Sequence, residues 1–101
     1  MMSTTPPAYS GELLCGQVHA INKLPVTVDW ENKTQRLADV VSLIVSDGRD
    51  EMFVKLTLPE TWPANRFVAG TRWTFGIRSY VNRNNKLMRL IRTDLDPYQT
   101  H

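Results

Sequence analysis

Apolar and polar residues alternate with a period of two through most of this chain, and short polar or proline-bearing stretches interrupt the alternation. "ELLCGQVHAI" (12–21) reads as a strand, with Gly16 in its middle marking a bulge or tight bend. After Pro25, "VTVDW" (26–30) sets Val26, Val28 and Trp30 on one face and Thr27 and Asp29 on the other. It either extends the first strand or forms its own hairpin. "ENKTQ" is turn material, and "ADVVSLIVS" (38–46) is β-branched, with Val41, Leu43 and Val45 expected to point inward. "DGRDE" is a hairpin signal centred on Asp47-Gly48. In "MFVKLTL" (52–58), Met52, Val54, Leu56 and Leu58 oppose Phe53, Lys55 and Thr57.

The period then changes. "ETWPANRFVA" (60–69) is the one stretch that reads as a helix, with Thr61 as N-cap, Pro63 in the first turn and Gly70 just past its end. Alternation resumes beyond it, placing Trp73, Phe75 and Ile77 in the core and Arg72, Thr74 and Arg78 outside. "NRNN" (82–85) forms a loop tip and "KLMRLIRT" (86–93) the return strand, in which Arg89 and Arg92 cannot share a face without a bulge. Phe67 belongs with the core and Trp62 with the start of the helix.

Short strands at regular spacing with a lone helix between the third and fourth long ones predict a mainly β fold. The order is that of an OB-fold, a five-stranded Greek-key barrel with one short helix between strands 3 and 4. With 101 residues there is one domain: a flexible leader (1–10), the barrel (11–96) and a short C-terminal tail (97–101).

Charge changes this picture. Residues 70–93 hold Arg72, Arg78, Arg83, Lys86, Arg89 and Arg92 and no acid, so they net +6; the other six cations face ten acids, leaving −4. The chain's net charge of +2 says little, whereas this segregation points to a polyanion.

"LLCGQVHAI", the single helix region and "GTRWTFGIRSYVNRNNKLMRLIRT" together resemble the OB-fold single-stranded-DNA-binding proteins of bacteria and phages, and the small primosomal replication proteins of similar length. The likeness runs as a pattern from Glu12 to Asp96. It implies non-catalytic binding of single-stranded DNA with little sequence preference, in replication, recombination or transfer, and assembly as a homodimer or homotetramer. RNA is a variant of the same reading.

A single-strand binder needs cations along a groove and flat side chains on which bases stack. Arg72, Arg78 and Tyr80 share the outward parity of the fourth strand, Arg83 and Lys86 lie on the hairpin that overhangs the binding face of an OB-fold, and Arg89 follows on the return strand, whose facing the pattern leaves open. Phe53 and Lys55 share the outward parity of the third strand. These eight are the candidate nucleic-acid-binding residues, with Tyr80 and Phe53 as stacking platforms. The alternative is an interaction module, in which Phe53 covers an oligomer interface and the arginines guard an edge strand.

Other chemistry finds little support. No nucleophile elbow, P-loop or zinc-protease motif is present, so no enzyme is expected. The single cysteine, Cys15, forms no internal disulfide and reads as a small core residue; with His19 four residues on and His101 at the end it makes no metal site. No cofactor is expected. The absence of a signal peptide and of a long apolar run predicts a cytoplasmic protein away from membranes.

Overall fold

The computed structural model describes residues 11–29 and 31–100; Trp30, the leader and His101 lie outside them. Six strands follow one another: β1 (Glu12–Asp29), β2 (Thr34–Ser46), β3 (Glu51–Thr57), β4 (Arg72–Val81), β5 (Leu87–Ile91) and β6 (Tyr98–Thr100). All pair antiparallel, in the order β3-β2-β1-β4-β5, with β6 beside β4.

The fold turns on β1. Residues Glu12–Gln17 pair with β4, and from Gln17 to Asp29 the same strand pairs with β2. Residues 26–29 of "VTVDW" therefore extend the first strand. From Val18 onward β1 has, among the described residues, a ladder neighbour on one side only, the setting in which a strand accommodates Pro25. Gly16 lies next to the change of partner at Gln17, but the bulge expected at Gly16 falls instead between Val18 and Ala20. A Cβ on Gly16 would lie 3.0 Å from Leu43 Cβ and 3.1 Å from the Ile44 carbonyl oxygen, so β1 and β2 approach closely only because position 16 has no side chain.

Alternation places the core on one face, where Val18, Val41, Leu43, Val54, Leu56, Trp73, Phe75 and Ile77 are buried. Val40 and Ser42 have the opposite parity yet are buried too, because β2 has a strand on each side there; Ser42 lies between Ala20 and Lys55.

Each hairpin turn is held by an Asp or Asn side chain at its start. Asp29 accepts from the N–H groups of Glu31 and Asn32, and Asp47 from those of Arg49 and Asp50. Asn82 does the same for Asn84 and Lys86. Each loop also contains one residue in the left-handed region: Lys33, Gly48 and Asn85 respectively.

Three expectations change. The helix over 60–69 shrinks to one 3-10 turn, Ala64–Arg66, within a run of i→i+3 bonds, and Thr61 does not cap it. Pro59 and Pro63 leave too short an uninterrupted run to nucleate an α-helix, and each proline biases the residue before it toward extended backbone. The segment works instead as a strap that lays Phe67 against Trp73 (centroids 4.8 Å apart) and Phe75 (5.5 Å), with the Arg66 guanidinium over the first two rings.

The barrel does not close: β3 and β5 approach each other, but no ladder joins them among the described residues. The described residues also form six strands rather than five. Residues 98–100, expected in a tail, pair with Arg72–Thr74 alongside β4, because β5 ends opposite Ile77 and leaves that edge open. None of the helices among the described residues is long and apolar enough to cross a membrane.

Candidate nucleic-acid interface

The strand registers join into continuous rows across the outer face of the sheet. Phe53 pairs with Ile44, Ile44 with Gln17, Gln17 with Arg72 and Arg72 with Thr100. One step along, Lys55 pairs with Ser42 and Ser42 with Ala20. In the other direction come Cys15, Thr74 and Tyr98, then Leu13 and Gly76. The hairpin completes the face with Arg78 opposite Leu90 and Tyr80 opposite Met88.

Five of the eight candidate residues thus share one face: Phe53, Lys55, Arg72, Arg78 and Tyr80. Phe53 is 64% exposed and Tyr80 42%. They fall into two groups. Phe53, Lys55 and Arg72 lie at one end, with three strand spacings, about 14 Å, between Phe53 and Arg72. Arg78 and Tyr80 lie further along β4, with Tyr80 eight residues, about 26 Å, from Arg72. Arg83 and Lys86 occupy the tip beyond them, where Asn82 orders the backbone.

Arg89 does not join this group. It pairs with Ser79, on the opposite face of the hairpin from Arg78 and Tyr80, and is half-buried. The β4–β5 ladder has no bulge, so Arg89 keeps the parity of Ile91, which packs against the core.

The cations of the face are open. Among the described residues, Lys55, Arg72, Arg78, Arg83 and Lys86 have no carboxylate within 4.0 Å, whereas Lys23, Arg36 and Arg92 pair with Asp39, Glu60 and Asp94. One acid, Glu51, shares the parity of Phe53 and Lys55 at the start of β3.

Four features of the face escaped the sequence. Cys15 is exposed rather than in the core, because the pairing with β4 turns 13, 15 and 17 outward. Its Sγ lies 3.9 Å from Thr100 Oγ1. Burial raises the thiol's pKa, but hydrogen bonds with Thr74, Thr100 and Arg72, and the Arg72 charge, outweigh that and leave it below its ordinary value. His19 places its imidazole 5.2 Å from the Phe53 ring. Leu13, Met88 and Leu90 add exposed apolar surface around Arg78 and Tyr80, and β6 adds Tyr98 and Thr100 beside Arg72. The period-two pattern of 86–93 held the signal for Met88 and Leu90; no local signal marks the others.

No group of three or more metal-ligating side chains exists among the described residues, and Cys15 is engaged by Thr100 rather than His19. The surface can bind by stacking and by charge.

Compared with protein-family models, with curated proteins and with solved structures, this chain has no match in any of the three.

Proposed function

We propose that this protein binds single-stranded DNA, without catalysis and with little sequence preference, across the outer face of its sheet. The observation that carries the reading is the grouping of Phe53, Lys55, Arg72, Arg78 and Tyr80 on one face, the cations without a carboxylate within 4.0 Å among the described residues and the rings exposed. Exposed rings give stacking without base identity, and open cations give phosphate contacts. A duplex offers no free base faces to the rings, so a single strand is the better fit. RNA meets the same requirements and is the variant that the test must separate.

The sheet is consistent with an OB-type barrel whose seam lies between β3 and β5. In support stand the shared strand β1, the order β3-β2-β1-β4-β5 and the approach of the two outer strands. The strap around Phe67 then occupies the place of the barrel's helix.

Fluorescence anisotropy of a labelled oligo-dT, repeated with oligo-U and duplex DNA at low and near-physiological salt, tests the proposal. Tight, salt-sensitive binding of oligo-dT over duplex is expected; no binding of any of the three at low salt contradicts it.

A second reading is association with another copy through the hairpin, where Val81, Leu87, Met88 and Leu90 are exposed. Sedimentation of the free protein separates the two, since a monomer that binds oligo-dT leaves no role for a dimer through that surface.

A further inference from the structure

Phe53 has a partner that β3 does not supply. The β1–β2 register shifts between Val18 and Ala20, so β1 carries one extra residue, His19. Without it the imidazole would stand opposite Ser42; with it Ala20 takes that position, and the His19 ring leans to within 5.2 Å of the Phe53 centroid. Bulges commonly re-aim one side chain in this way. The two planes meet at 66°, so they form a notch rather than a flat plate. Both residues are exposed. Lys55 lies two residues along on the same face of β3, within reach of the notch's edge.

We propose that His19 and Phe53 together form a notch for one unpaired nucleobase, with Lys55 meeting that nucleotide's phosphate. The inference rests on the single-strand reading and adds His19 to its site. A base lying flat on one ring meets the other at its edge, so each ring fixes the base in a direction that the other leaves free. Stacked bases in a helix cannot enter, which adds discrimination against duplex at this end of the face.

The protein has two histidines, His19 and His101, so its imidazole proton resonances are few and the loss of one in His19→Ala assigns it. On titrating the wild-type chain with oligo-dT, the His19 resonance is expected to move through the ring current of the incoming base. Anisotropy with the same oligonucleotide is expected to show a five- to tenfold loss for His19→Ala and a change within about twofold for His19→Phe, which keeps a ring. His19→Ala combined with Phe53→Ala should cost less than the product of the two separate losses, since one notch is removed twice. If wild type binds oligo-dT while the His19 resonance stays still and His19→Ala binds as wild type, the notch is overturned and the single-strand reading stands. If wild type binds no oligo-dT at low salt, both fall.

Discussion

Phe53 and Arg72 stand on one row of the sheet although they belong to strands three places apart, linked through Ile44 and Gln17 by pairing register. A ring and a guanidinium spaced about 14 Å apart on one surface can serve successive parts of one flexible polyanion. With three to five phosphate contacts, log K should fall against log salt with a slope of roughly −2 to −3.5. Arg72→Ala or Arg78→Ala should each weaken oligo-dT of any sequence alike and flatten that slope by about 0.7. Arg89→Ala, on the opposite face of the hairpin, should leave the slope nearly unchanged.

The rings should behave differently from the cations. Phe53→Ala and Tyr80→Ala should each cost about 1–3 kcal/mol of oligo-dT affinity with little change in salt slope, measured by anisotropy at three or more salt concentrations. A shift in sedimentation rather than in affinity would instead place those rings at a contact between copies.

The sequence made the strands readable and left their closure obscure, for physical reasons. Alternation at 52–58 and 73–77 picks out the core side chains Val54, Leu56, Leu58, Trp73, Phe75 and Ile77, which are buried, but it misplaces two. Met52, expected inward, is exposed near the start of the edge strand β3, and Thr74, expected outward, is buried between Cys15 of β1 and Tyr98 of β6. The three hairpin loops were legible in Asp, Asn and Gly, because their side chains or backbone freedom make the turn locally. What depends on distant pairing was not. Cys15 is turned outward by β4, His19 is re-aimed by a bulge that no residue type announces, and β6 forms only because β5 stops short. Helix propensity over 60–69 gave way to two prolines and to the core's demand for Phe67.

Gly16 should be intolerant of any side chain. Gly16→Ala brings a methyl group against Leu43 Cβ and the Ile44 carbonyl, and backbone cannot yield as a flexible side chain can. The expected loss is about 1–3 kcal/mol in urea denaturation. Gly48→Ala meets no atom within 4 Å, so its cost comes from the left-handed backbone alone and should be smaller.

Asp47 ties the β2–β3 turn to pH. Hydrogen bonds from the backbone N–H groups of Asp50 and Arg49 hold its carboxyl below the ordinary carboxylate range. A depressed folded pKa contributes stability that is fully present above the unfolded value, about 3.9, and is lost as pH falls through the lower folded value. Asp47→Ala should therefore lower Tm at pH 7, and the gap from wild type should narrow toward pH 2. A gap that stays constant across that range would contradict the role given to Asp47.

Cys15 reports directly on whether a single strand binds across the outer face. It is the chain's one cysteine, exposed, on the row between Leu13–Gly76 and Gln17–Arg72. The measurement is the rate at which a thiol-alkylating reagent modifies Cys15 in the native protein, alone and with oligo-dT at a concentration shown by anisotropy to saturate it. A rate slowed severalfold by oligo-dT is the predicted result; an unchanged rate while the oligonucleotide is bound would put the strand on another surface.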